Sequence, residues 1–259
     1  MKAAATTTSD PPAHAALDAR AYDALWRGLD DFARYNPGAR HRRRIMLQLL
    51  RGLPVHSALD VGCGNGEGLL ALRRALPQVR AWHGADFAPE RVAGTQLRLP
   101  DVRVHLLDIE RAALDLELEL VICSEVLEHL RDRRAAFGRL ASMVAPGGYL
   151  LVTTPTGPVF ATERHFGHVS HPSAGELRAL GSEHGLEERA LRAWGFPFYR
   201  ALKHATNLRP AWSLRHFADG RYGAAHKILA HTAYALCFVD CSHLGAACQL
   251  FGLFQKRPR

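Results

Sequence analysis

From Ser57 onward, short apolar runs alternate with stretches whose apolar residues recur at helical spacing. Residues 58–61, 81–87, 102–107, 118–124 and 148–154 read as strands, and residues 69–76, 89–97 and 133–144 read as helices. Strands that are apolar on both faces, each followed by a helix, predict an α/β fold. Its sheet is doubly wound, mostly parallel and covered on both sides. After Pro172 the pattern predicts one more helix (173–184) and one more strand (187–194).

The flanks follow other rhythms. Residues 17–35 read as one helix with Leu25, Trp26, Leu29 and Phe32 on one face, broken by Asn36, Pro37 and Gly38. Residues 39–51 make a second helix. Between 195 and 244 the alternation gives way to a segment rich in aromatic residues, including Phe196, Tyr199, Trp212, Phe217 and Tyr222. It reads as helices inserted ahead of a closing strand at 246–254. The chain thus divides into a disordered tail (1–16), an N-terminal helical lid (17–52), a core (53–194), a helical aromatic insert that caps the substrate (195–244) and a closing strand with its tail (245–259).

Composition narrows the picture. At 259 residues with 47% hydrophobic content, the chain can build one sizeable core with an insertion. The formal charge is +8, carried mostly by Arg; Lys occurs at 2, 203, 227 and 256. No RNA-recognition or helix-turn-helix signature accompanies it, which argues against a nucleic-acid partner. The run Arg40, His41, Arg42, Arg43, Arg44 reads first as a solvated helix face, and second as a surface for an anionic substrate or a membrane. Five Cys with no secretory signal argue for reduced thiols in a cytoplasmic protein. Cys237, Cys241 and Cys248 lack zinc-like spacing and read as small buried residues. No run of apolar residues is long enough to predict a transmembrane helix. Residues 228–254 are mildly apolar. They read as a buried helix plus strand, with peripheral membrane contact as the alternative if the substrate is a lipid.

The chemistry starts at Gly62, Gly64 and Gly66, between the first strand and its helix. Glycines there let backbone approach a ligand closely. The spacing is GxGxG, and Glu67 stands where a dinucleotide fingerprint has its third glycine. No phosphate-binding Lys accompanies the loop. Asp86 ends the second strand, where a carboxylate can accept both ribose hydroxyls. The plainer reading is a turn Asp capping the next helix. Asp108 ends the third strand, where the plainer reading is again a turn carboxylate.

The motifs ALDVGCGNG (58–66), ADF (85–87), LLD (106–108), SEVLEHL (124–130) and PGGYLLVTTP (146–155) resemble, in order, those of class I S-adenosylmethionine (SAM) dependent methyltransferases. The small-molecule, ubiquinone-type branch is the most similar. The resemblance covers residues 58 to about 190. It implies a Rossmann-like sheet with an antiparallel last strand, SAM as cofactor and S-adenosylhomocysteine (SAH) as product. It places Asp60 near the methionine ammonium. Gly62, Gly64 and Gly66 lie along the cofactor, with Ser124 and Glu125 at its edge. Asp86 and Phe87 fall by the ribose, and Asp108 with the Ile109 backbone by the adenine.

Two stretches carry candidates for the transfer step. In the first, Glu125, Glu128 and His129 fall at i, i+3 and i+4, one face of a helical turn. The second is the loop Arg164–His171, with His165, His168 and His171. His129, His165 or His168 can serve as general base. Alternatively Glu125, Glu128, His129 and His168 make two carboxylates and two imidazoles, a set for a divalent metal. The ExxEH pattern resembles the metal site of small-RNA 2′-O-methyltransferases, although Gly167 stands where that family has an acid. The plain alternative for the two Glu is charge complementing a helix N-terminus. The expected function is methylation of a small-molecule acceptor, with oxygen favoured over nitrogen or carbon. Three other readings remain: SAM-consuming cyclisation, a metal-dependent RNA methyltransferase, and a SAM-binding protein without turnover.

Overall fold

The computed structural model describes residues 18–218, 221–240 and 245–259, and for Trp26, Asp30 and Ala218 the backbone alone. The expected tail, the Trp26 side chain and Cys241 lie outside what is described. Seven strands form one sheet: β1 (Ser57–Val61), β2 (Ala81–Asp86), β3 (Arg103–Leu106), β4 (Leu118–Ser124), β5 (Val144–Pro155), β6 (Leu186–Trp194) and β7 (Gln249–Lys256). Their order is β3-β2-β1-β4-β5-β7-β6. The first five run parallel, and β7 pairs antiparallel to both β5 and β6. This is the doubly wound sheet with an antiparallel last strand.

The helices are α1 (Ala19–Trp26), α2 (Asp30–Tyr35), α3 (Pro37–Leu50), α4 (Glu67–Ala75), α5 (Pro89–Arg98), α6 (Arg133–Ser142), α7 (Ala161–His165), α8 (Ala174–Glu183), α9 (Phe198–Leu208), α10 (Pro210–Ser213) and α11 (Ala224–Leu236). The predicted single helix at 17–35 is two, because Gly28 turns the chain at φ +84°. Asn36 and Pro37 start a helix as well as ending one. The Asn36 side chain accepts from the Ala39 amide at 3.0 Å, and Pro37 takes the first helical position.

Strand alternation divides the core between the two faces of the sheet. Val121, Cys123, Leu250 and Phe254 face one side, with Phe137, Leu140 and Leu177 from α6 and α8. Leu120, Ile122, Phe251 and Leu253 face the other, with Ile45, Leu49 and Leu50 from α3 and Leu69 and Leu72 from α4. The predicted burial of 228–254 holds for β7 but not for α11, where Ile228, Leu229 and Leu236 are exposed. Among the described residues, no helix is long and apolar enough to cross a membrane.

Candidate functional site

The glycine loop leaves β1 in a fixed shape. The Gly62 and Cys63 amides donate to the Ala85 carbonyl at 2.8 and 3.0 Å. Thr95 Oγ1, fully buried, donates to the Gly64 carbonyl at 2.7 Å. Gly62 has φ +80°, and a Cβ there would run into Val126 Cγ2. Gly66, also left-handed, forms the N-cap of α4. Asp86 latches the loop to β2: one carboxylate oxygen accepts from the Gly64 amide at 2.9 Å, the other from the Ala88 amide at 3.0 Å. Burial raises its pKa.

At the carboxyl ends of β1 and β4 lies a polar cavity of about 350 Å³. Asp60, Gly62, Gly64, Ser124, Glu125, His129 and His168 all line it. Phe87, Asp86, Asp108, Ile109 and Gly66 do not. Asp108 is half-exposed, accepts from the Glu110 amide and pairs with Arg111 at 3.2 Å. Tyr22 of α1 packs edge-on against Phe87 at 5.1 Å, on the Asp86 side of the cavity. His165 sits on the exposed side of α7 against Phe166, outside the cavity.

Asp60 is buried in the cavity wall. Burial first, then the neighbouring Asp86 charge, push its pKa up to about 7. Ser124 Oγ bonds Thr153 Oγ1 at 2.8 Å.

The expected helical face of Glu125, Glu128 and His129 does not form. β4 ends at Ser124, Glu125 adopts φ +58°, and a short 3₁₀ turn holds Leu127–His129. A non-glycine residue in that region costs about 1–3 kcal/mol and concentrates at functional sites. The Glu125 carboxylate is taken up by Arg42 at 2.9 Å, Gln249 Nε2 at 2.7 Å and Thr153 Oγ1 at 3.3 Å. The four-residue set therefore becomes three: Glu128, His129 and His168 present ligand atoms within 4.8 Å of one another.

These three are held from several directions. Glu128 is fully buried; one oxygen accepts from Thr154 Oγ1 at 3.2 Å, and the other has no partner. Burial, then the Glu125 charge, raise its pKa well above the usual range. The Glu128 carbonyl accepts from the Val169 amide at 2.8 Å, which ties the His-rich loop to the turn. His129 Nδ1 lies 3.2 Å from the Gly167 carbonyl. A carbonyl only accepts, so Nδ1 carries the proton and Nε2 keeps its lone pair. His171 Nδ1 likewise donates to the Gly157 carbonyl at 3.1 Å, and its Nε2 accepts from His168 Nδ1 at 3.0 Å. His168 is then also left with a lone pair on Nε2. Burial lowers the pKa of all three rings, that of His168 to about 2, with help from the adjacent His129 and His171. They are neutral at pH 7, so the 3.9 Å approach of His171 to Glu163 is no ion pair.

The basic run of α3 is not a solvated face. His41 is fully buried; Arg40 lies 3.5 Å from the centroid of Tyr234, and Arg44 lies 4.7 Å from that of Phe238. Arg42 and Arg43 line the polar cavity. Arg43 is half-buried, and desolvation followed by the Arg42 charge lowers its pKa. Glu163, Lys203 and Gln249 also reach the cavity from distant segments. No motif marked them, although the basic run was a visible signal for Arg42 and Arg43.

A second cavity, apolar and about 280 Å³, lies under the insert. Both cavities are lined by Phe32, Asn36, Glu163, Phe166, Tyr199 and Lys203. Phe32 and Phe166 stack at 5.5 Å.

Comparison with known proteins places this arrangement. A family model described as a methyltransferase domain matches residues 32–220. Trans-aconitate 2-methyltransferase of Methylobacterium radiotolerans is 29% identical over 48% of the chain; the chain spans about half the length of that relative, 48%. Among solved structures, the N-methyltransferase NodS of Bradyrhizobium japonicum, determined with SAH, superposes with a TM-score of 0.57 at 21% identity, covering 91% of this chain and 97% of that one. The [4+2]-cyclase SpnF gives 0.58 at 18% identity, covering 84% and 81%. At these identities the structures testify to the fold alone.

Proposed function

This chain belongs to the class I SAM-dependent methyltransferases, and from that premise we propose that it moves the methyl group of SAM to a small-molecule acceptor, with oxygen as the accepting atom. The observation that carries the reading is the polar cavity at the strand ends, walled by the glycine loop, Asp60 and His129. SAM carries a sulfonium and an ammonium. Asp60 meets the ammonium and Arg43 the methionine carboxylate. The Asp86 oxygens retain lone pairs for the ribose hydroxyls beyond the two amides they already accept. Asp108 and Ile109 serve the adenine, which requires Tyr22 and α1 to shift from the Phe87 side. The lid before residue 52 and the insert at 195–244 close the site over the acceptor.

Methyl transfer is an in-line displacement, so the protein supplies position and dryness. An oxygen acceptor also needs a group to take its proton. His129, a neutral ring with a lone pair at Nε2, is one candidate and the Glu163 carboxylate in the same cavity wall is another; His168, its pKa pushed down to about 2 by burial, is too weak a base. Calorimetry with SAM and SAH tests the cofactor half: Asp86→Ala should weaken both, and unchanged affinity would remove the assigned pocket. Mass spectrometry of products from SAM and a cell extract separates methylation from cyclisation of SAM, and from binding without turnover.

A divalent metal is the second reading, favoured by one observation. Glu128 holds an unpartnered carboxylate oxygen in full burial, and its carboxylate lies within 4.8 Å of ligand nitrogens of two neutral imidazoles. One carboxylate and two imidazole nitrogens suit Mn²⁺, Fe²⁺ or Zn²⁺. An ion bound by Glu128, His129 and His168 would polarise the acceptor oxygen. Metal analysis of the purified protein, then exhaustive chelation, decides it. Full activity with no metal detected retires this reading.

A further inference from the structure

We propose that the apolar cavity under the insert binds a small aromatic alcohol, and that Glu163 and Lys203 seize its hydroxyl where the two cavities meet. This rests on the methyl-transfer reading above and names its acceptor class.

The walls common to both cavities hold two charged side chains, Glu163 and Lys203. Their side chains are 13% and 11% exposed. Lys203 Nζ pairs with Glu163 Oε1, and Glu163 Oε2 accepts from the Phe160 amide at 2.8 Å. An ion pair set at the inner end of an apolar pocket suits a group that both donates and accepts. A hydroxyl does so: its proton points to the carboxylate and its oxygen takes a hydrogen bond from the ammonium. A hydroxyl engages both partners at once, whereas an ammonium gains Glu163 but meets the like charge of Lys203, and a carboxylate gains Lys203 but meets that of Glu163. The aromatic walls, Phe32 and Phe166 stacked on one side and Tyr199 on another, favour a flat ring. Size agrees. A cavity of about 150 Å³ accommodates one benzene, and this one is about 280 Å³. The volume admits an acceptor of up to about two rings.

The step balances on these residues. The O–H bond breaks and its proton passes to the Glu163 carboxylate. The oxygen lone pair forms the C–O bond to the SAM methyl group. The S–CH₃ bond breaks and its electron pair stays on sulfur, giving neutral SAH and a methyl ether. Lys203 steadies the developing alkoxide.

The test uses the full chain loaded with SAH, and 2-naphthol, 2-naphthylmethylamine (an ammonium at pH 7) and 2-naphthoate as probes. Calorimetry should show naphthol binding best of the three. Ala230→Trp, which fills the apolar cavity from α11, should abolish that binding while SAH affinity stays at the wild-type value. Leu229→Trp, at a more exposed wall position, should weaken it in the same sense and guards against a folding defect. With SAM, naphthol should be converted to its methyl ether. Glu163→Gln should lower kcat by about a hundredfold or more with little change in KM, and shift the pH–rate profile. If SAH itself fails to bind wild-type protein, the methyltransferase reading falls. If SAH binds but naphthoate or naphthylmethylamine binds best, if naphthol is bound unaltered by both tryptophan variants, or if Glu163→Gln turns over at the wild-type rate, this inference alone falls.

Discussion

The polar cavity takes part of its wall from the carboxyl ends of β1 and β4 and the glycine loop and the rest from α2, α3 and side chains such as Glu163 and Lys203, whereas the apolar cavity is walled by helices, mainly α2, α7, α9 and α11. In the first, position is set by amide hydrogen bonds and by a sheet buried on both faces. In the second, it is set by helices far apart in sequence, whose outer faces expose Leu208 and Ile228. The lesson is a division of labour. The sheet-end part of the polar cavity is held by backbone hydrogen bonds, whereas the helix-built cavity is held by side-chain packing, so its contents can change by substitution.

The largest effect should separate the two halves by stability. Phe251 is fully buried at the centre of β7. Phe251→Ala should cost about 3–5 kcal/mol in denaturant unfolding. Trp212→Ala in the insert, at a half-exposed position, should stay within about 0.5 kcal/mol. Comparable losses at both sites would mean that the insert is part of the same core.

Next comes the backbone of the loop. Gly62→Ala places a Cβ in a left-handed residue and against Val126. SAM affinity should fall about a hundredfold, equivalent to about 2.7 kcal/mol at 1.36 per decade. Calorimetry reads it directly. A variant that binds SAM normally would show the loop to be more pliant than its hydrogen bonds imply.

Asp60 gives a smaller, pH-dependent effect. Its carboxyl is raised to about 7 in the folded protein, against about 3.9 for a free Asp. The ionised form is thus disfavoured by folding, and this group makes the ligand-free protein less stable as pH rises from the ordinary carboxyl range through 7. Cationic SAM favours the ionised form. Below pH 7, binding must therefore release a proton, and Kd should improve with pH by up to about tenfold per unit before levelling above 7. Asp60→Asn should flatten that slope between pH 5 and 7. A slope that persists in the variant would assign it to another group.

How much of this was legible beforehand follows the same division. The strands, the glycine loop and the clustering of Asp60, Ser124, Glu125 and His129 could be read because each is a local pattern or lies at a strand end that the fold brings together. The apolar cavity could not, since Phe32, Glu163 and Lys203 meet through helix packing that no short window encodes. Glu125 shows a finer limit. Its spacing to Glu128 and His129 suits a helix, but its left-handed backbone and its bonds to Arg42 and Gln249 turn the site into a three-residue cluster. Gly28 is similar: apolar periodicity ran across it, and the φ of one residue split the helix.

The smallest effect probes how α1 is held to α5. α1 touches α5 through two ion pairs of unlike burial. Arg91 Nε approaches Asp23 at 3.3 Å with the carboxylate 5% exposed, whereas Arg27 and Glu90 meet at 3.2 Å with side chains 68% and 64% exposed. In water the second pair is screened, and holding two long side chains in place costs entropy. Arg27→Ala should therefore shift stability by less than about 0.5 kcal/mol and leave SAM affinity unchanged. Arg91→Ala strands a buried carboxylate and should be felt in both. If Arg27→Ala alone changed SAM affinity, α1 would be steered from its exposed end, and the lid would count with the adjustable half of the molecule.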